Sequence, residues 1–187
     1  MIAIGQVIPP ATVQAYHNGA IRTCLLDEFR GRWLILLFYP GDFTFVCPTE
    51  LAETARLYPE FSKLGAEVCG VSTDSVYVHK AWHDSSPTVR SVEFPLIADR
   101  NGFLARMFGV YLEHEGVALR GTFLIDPDGV LCAYEVHGNS IGRHPGEMLR
   151  KLQAAIRVRE GAGDVCPTDW TPGQAVLTPS LDLVGKL

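Results

Sequence analysis

Hydrophobic positions along the chain follow two patterns. Trp33-Leu34-Ile35-Leu36-Leu37-Phe38-Tyr39 is apolar throughout, as a strand buried on both faces should be, and Pro40 and Gly41 end it. Residues 66–71, 94–98 and 122–125 predict further strands. Helices are predicted from about Phe45 to Leu64, over residues 77–85 and around residues 102–108. Pro48 is tolerated in a first helical turn, where its missing N–H has no partner to lose. Pro145 opens a last helix, in which Met148, Leu149, Leu152, Ala155 and Ile156 recur at helical spacing. Residues 11–25 read as a hairpin turning at His17-Asn18-Gly19, because Asn-Gly readily supplies positive φ. Asp126-Pro127-Asp128-Gly129 predicts a turn between strand 122–125 and a strand over residues 130–136.

This order predicts an α/β fold with a central mixed β-sheet flanked by helices and preceded by a hairpin. Residues 1–160 are expected to form one domain. Residues 161–187, interrupted by Pro167, Pro172 and Pro179, are expected to form an irregular tail. That tail has no core of its own and should lie over this domain or over a second subunit.

Composition narrows the chemistry. A chain of 187 residues is long enough for one buried core. A net charge of -5 and a pI near 5.6 argue against nucleic acid as a partner. The longest apolar run is too short for a bilayer, which takes roughly 20 residues. Met1-Ile2-Ala3-Ile4-Gly5-Gln6 lacks the basic start, long apolar stretch and cleavage site of a signal peptide. A cytoplasmic location is therefore expected, with no membrane partner. No glycine-rich phosphate loop is present, and neither a nucleotide nor any other bound cofactor is expected.

The five cysteines are Cys24, Cys47, Cys69, Cys132 and Cys166. An odd number fits a structural disulfide framework poorly. No Cys-x-x-Cys occurs, which removes a thioredoxin-type dithiol and a zinc ribbon. His79 and His83, four apart on a predicted helix, have the spacing of two metal ligands. No third ligand is evident and no Glu adjoins His79, so both are expected to be structural and no metal is expected.

Cys47 stands out by position. Thiolate is the reactive form of cysteine, and the first turn of a helix favours an anion through its unpaired N–H groups and dipole. The predicted elements put Cys47 there, beyond the carboxyl end of a buried strand, where ligand sites gather in open α/β sheets. Thr44 places a hydroxyl within reach, and Pro40 can wall one side without adding a donor. On position alone, Cys47 is as readily a small buried hydrophobe between Val46 and Pro48.

Phe38-Tyr39-Pro40 followed by Asp42-Phe43-Thr44-Phe45-Val46-Cys47-Pro48-Thr49-Glu50 closely resembles the active-site signature of the typical 2-Cys peroxiredoxins. The resemblance continues through Val71-Ser72-Thr73-Asp74, His79-Lys80-Ala81-Trp82-His83, Arg120-Gly121-Thr122-Phe123, Ile141-Gly142-Arg143 and Asp164-Val165-Cys166-Pro167. The closing run from Pro179 to Leu187 is similar to that of the bacterial alkyl hydroperoxide reductase C subunit.

This resemblance implies a thioredoxin-like fold and a peroxidase acting on hydrogen peroxide and small alkyl hydroperoxides. Pro40, Thr44, Cys47 and Arg120 would form the peroxide site, with Glu50 and Arg143 supporting Arg120. Cys47 would become a sulfenic acid, resolved by Cys166 of the other subunit as an intersubunit disulfide. The resemblance further implies a homodimer, assembling into a decamer with residues 42–45 and the Tyr77 region near that contact. Reducing equivalents would come from a partner protein, a flavoprotein disulfide reductase of the alkyl hydroperoxide reductase F type or else thioredoxin. The Gly-Gly-Leu-Gly loop and Tyr-Phe extension of oxidation-sensitive members are absent from this sequence, so resistance to overoxidation is expected. Two other readings are a thiol–disulfide exchanger for client proteins and a ring-forming chaperone or redox sensor.

Overall fold

A computed structural model describes residues 1–161 and 163–186. Ala162 and Leu187, both in the expected tail, lie outside the described residues. The N-terminal hairpin forms as Asn-Gly requires. Strands β1 (Thr12–His17) and β2 (Ala20–Leu25) pair antiparallel around Asn18 at φ 50° and Gly19 at φ 78°, both left-handed as a type I′ turn needs. β3 (Trp33–Phe38) follows, buried at every position. In order come α1 (Cys47–Lys63), β4 (Ala66–Ser72), α2 (Val76–Ser85), β5 (Leu96–Ala98), α3 (Phe103–Met107), β6 (Tyr111–Leu112), β7 (Val117–Ala118), β8 (Arg120–Ile125), β9 (Leu131–His137) and α4 (Pro145–Glu160).

Seven strands form one sheet in the order β2-β1-β5-β4-β3-β8-β9. β3, β4 and β5 run parallel to one another and the remaining neighbours pair antiparallel. The expected mixed, thioredoxin-like sheet is therefore present. Strand 94–98 is shorter than its sequence suggests, starting at Leu96, because Pro95 has no N–H for a ladder. The β6–β7 hairpin has no counterpart in the sequence reading, since two-residue strands carry no readable period.

The chain divides into two compact units, residues 1–145 and 146–187. The first contains the whole sheet. Its core joins Leu34, Leu36 and Phe38 of β3 to Cys69 and Val71 of β4, Ile97 of β5 and Phe123 and Ile125 of β8. Phe38, Phe108 and Phe123 cluster with ring centroids 4.7–5.5 Å apart, within the favourable aromatic range. α3 is capped from outside: the Asp99 carboxylate accepts the N–H groups of Leu104 and Ala105 at 2.9 and 2.8 Å. Gly102 before it has φ 64°, and an added Cβ would come within 2.5 Å of the Tyr111 ring. Gly102→Ala is thus expected to cost more than about 1 kcal/mol, read as a lowered thermal midpoint.

In the second unit α4 is followed by irregular chain held by side chains. Arg157 and Asp164 pair at 2.6 Å, and Thr178 donates to the same carboxylate at 2.7 Å. Arg150 Nη1 donates to the Trp170 carbonyl at 2.9 Å.

Candidate active site

Cys47 is the first residue of α1 and is fully buried. Val46, the N-cap residue, makes no side-chain cap. It does accept the N–H groups of Thr49 and Glu50 at 3.0 and 3.2 Å and the Thr49 hydroxyl at 2.6 Å. The antiparallel pairing of Leu37 with Thr122 brings the start of β8 alongside the end of β3. This delivers Arg120, distant in sequence, to the first turn of α1.

Arg120 is buried and is held through Nη1 and Nε. Nη1 lies 3.3 Å from Cys47 Sγ and 2.8 Å from Glu50 Oε2, while Nε donates to the Asn139 carbonyl at 2.9 Å. Arg143 grips the same glutamate. Its backbone N and Nε reach Glu50 Oε1 at 2.8 and 2.9 Å, and Nη2 reaches Oε2 at 2.8 Å. Nη1 of Arg143 donates to the Gly121 carbonyl at 2.8 Å and to Thr122 Oγ1 at 3.3 Å. Burial alone would raise the Glu50 carboxyl, but the hydrogen bonds and charge of Arg143, then the charge of Arg120, hold it below the usual range. Two guanidinium groups face one carboxylate. The buried set therefore carries one net positive charge before Cys47 is counted.

The structure thus brings Cys47, Glu50, Arg120 and Arg143 together. Thr44 stands on the exposed connection before α1 with its hydroxyl donating to the Gly41 carbonyl at 2.8 Å. Pro40 is half-buried directly after Tyr39. Cys166 belongs to the second unit, half-buried, with Sγ 3.8 Å from the Ala154 carbonyl of α4. The Asn139 carbonyl and Thr122 hydroxyl escape sequence reasoning, for no motif marks a residue that acts through its backbone or through another side chain.

The other cysteines sit elsewhere. Cys24 and Cys69 are buried in the core, and burial pushes both thiols up, leaving little reactive thiolate. Cys132 is half-buried on β9. Replacing each of the three by Ser or Ala is expected to leave peroxide turnover within about twofold of the parent, measured by peroxide consumption. His79 is buried with both ring nitrogens near oxygen atoms of Asp42 and Ile97. Among the described residues, no group of three His, Cys, Asp or Glu side chains could hold a metal ion.

Known proteins resemble this chain in sequence and in fold. The alkyl hydroperoxide reductase C proteins of Pseudomonas aeruginosa (strain UCBPP-PA14) and Escherichia coli (strain K12) are each 46% identical over 187 residues, covering all of both chains. The crystal structure of Enterococcus faecalis AhpC superposes with a TM-score of 0.87 at 42% identity, over 89% of this chain and 100% of its own. The reduced 2-Cys peroxiredoxin of Plasmodium vivax gives 0.91 at 30% identity, over 96% of this chain and 94% of its own. Residues 4–134 match the AhpC/TSA family, and with this likeness along its whole length the chain belongs to that family.

Proposed function

We propose that the protein is a thiol-dependent peroxidase reducing hydrogen peroxide and small alkyl hydroperoxides to water or alcohol. The observation that carries this reading is charge. Glu50, Arg120 and Arg143 form a buried set with one unmatched positive charge, and Arg120 donates to Cys47 Sγ at 3.3 Å. A thiolate at Cys47 brings the set to neutrality, which a thiol cannot do. The two enzymes compared above as alkyl hydroperoxide reductase C support the same substrate class.

The Cys47 thiolate attacks one peroxide oxygen; the S–O bond forms as the O–O bond breaks. Cys47 becomes a sulfenic acid, and the departing hydroxide or alkoxide takes a proton and leaves as water or alcohol. Arg120 is placed to stabilise the charge moving onto that oxygen. Thr44 keeps lone pairs free to accept the peroxide O–H while its own proton is held by Gly41. Pro40 closes one side without competing for hydrogen bonds.

Cys166 of the other subunit of a homodimer then attacks the sulfenic sulfur, releasing water and forming the disulfide. The first turn of α1 must open for this, and its uncapped start at Val46 makes that opening inexpensive. Exposed Phe43, Phe45 and Tyr77 supply an apolar surface suited to assembly of dimers into a decamer. A flavoprotein disulfide reductase of the alkyl hydroperoxide reductase F type, or else thioredoxin, returns the enzyme to its dithiol form. Among the described residues no helix is long and apolar enough to cross a membrane.

Non-reducing gels of the reduced protein titrated with peroxide test the cycle. The parent is expected to give a covalent dimer, lost in both Cys47→Ser and Cys166→Ser. A parent that consumes no peroxide would sink the proposal.

A further inference from the structure

The connection between β3 and α1 is fastened at one residue. Asp42 Oδ1 accepts the Tyr39 hydroxyl at 2.8 Å, and Oδ2 lies 2.7 Å from His79 Nδ1. The Asp42 N–H donates to Asp74 Oδ2 at 2.8 Å, an oxygen that also accepts the Ser72 hydroxyl at 2.8 Å. His79 Nε2 stands 3.2 Å from the Ile97 carbonyl. Both side chains of the Asp42–His79 pair are fully buried.

Each His79 nitrogen faces an oxygen acceptor. Satisfying both contacts takes two protons, one on Nε2 toward Ile97 and one shared between Nδ1 and Oδ2. The pair is then neutral overall, whichever partner carries the shared proton. Burial pushes the Asp42 carboxyl up, more than the hydrogen bond and charge of His79 offset, so holding that proton is consistent with the site.

Beyond this fastening residues 43–45 are exposed. Phe43 adopts φ 55°, a left-handed conformation that a bulky side chain keeps only where its surroundings impose it. Trp82, on α2 with His79, packs near the Phe43 ring at 6.0 Å and the Tyr39 ring at 6.2 Å. Thr44 donates back to the carbonyl of Gly41, the residue just before Asp42. Phe45 is 94% exposed. The direction of the Thr44 hydroxyl therefore depends on Gly41, and Gly41 is held through its neighbour Asp42.

We propose that Asp42 and His79 are positioning residues of the peroxide site, pinning the turn at Gly41–Phe43 so that Thr44 faces incoming peroxide correctly beside Cys47. The inference rests on the peroxidase reading.

The test is the rate of peroxide attack on reduced enzyme, followed by stopped flow in a variant series. Asp42→Asn preserves the contacts, accepting from Tyr39 and donating to His79 Nδ1, and keeps the pair neutral overall. It should stay within about twofold of the parent. Asp42→Ala should be slower by about tenfold. In the double variant Asp42→Ala/Thr44→Val the loss should be no greater than in Thr44→Val alone, because both act through one hydroxyl. Tyr39→Phe, which removes one donor without emptying the site, should slow attack by about threefold, and this loss should vanish in the Thr44→Val background. It carries the test if Asp42→Ala does not fold. Asp42→Ala or Tyr39→Phe at the parent rate, Asp42→Asn as slow as Asp42→Ala, or losses that multiply with Thr44→Val would each overturn the positioning role. A parent unreactive to peroxide would instead overturn the function itself.

Discussion

Replacing Cys47 by Ser is expected to abolish peroxide turnover, a loss of more than about a thousandfold. The reason is chemical. A serine hydroxyl does not ionise near neutral pH, so the unmatched charge of Glu50, Arg120 and Arg143 cannot be balanced by an oxyanion there. Nor can an alcohol form the S–O bond on which the cycle depends. The substitution is nearly isosteric and Cys47 is fully buried, so near-ultraviolet circular dichroism should remain close to that of the parent. A folded Cys47→Ser protein that still consumed peroxide at a tenth of the parent rate would remove Cys47 from the centre of the mechanism.

The second large effect is expected at Glu50. Its carboxylate is shared by two buried guanidinium groups, at 2.8–2.9 Å through four contacts from Arg143 and Arg120. Deleting one partner of such a set leaves buried charge uncompensated, which costs about 3–5 kcal/mol. Glu50→Ala should therefore lower the unfolding free energy by that amount. It should also slow peroxide attack by about a hundredfold, the scale of a misplaced reacting group. The substitution also leaves two guanidiniums without their shared carboxylate. Position decides, because Arg120 loses the contact that aims Nη1 at the sulfur.

The pH dependence has a definite sign. The folded-state value of Glu50 lies below its unfolded value, which is near 4.3. Its contribution to stability is fully present above that unfolded value and is lost as pH falls through the lower folded one. The stability difference between parent and Glu50→Gln should be flat above about pH 5 and shrink below about pH 4. Denaturant unfolding across that range measures it, and a difference growing toward acid pH would contradict the charge account.

Local pattern made part of this protein legible in its sequence. The unbroken apolar run at β3 marks a strand buried on both faces, Asn18-Gly19 marks the hairpin, and the helix start at Cys47 follows from its setting between strand and Pro48. Contacts that depend on sheet register are a different matter. Glu50 and Arg143 are 93 positions apart and Asp42 and His79 are 37 apart, and no short spacing encodes either approach. The resemblance to a peroxidase family named Glu50, Arg120 and Arg143 but not their common charge balance, which appears only when β8 lies beside β3. Asp42 lies inside the recognised motif, but its partner His79 stands on α2, and the motif carries no sign of that contact. His79 reads from sequence as structural with no partner named, and the fold supplies that partner as Asp42.

The most direct measurement uses the Cys166→Ser protein, fully reduced and treated with one equivalent of hydrogen peroxide, followed by mass spectrometry of its thiol-containing peptides. The predicted result is a single added oxygen on the Cys47 peptide, trapped as a sulfenic acid adduct, with Cys24, Cys69 and Cys132 unmodified. Oxygen appearing first on any other cysteine, or on none, would contradict the account.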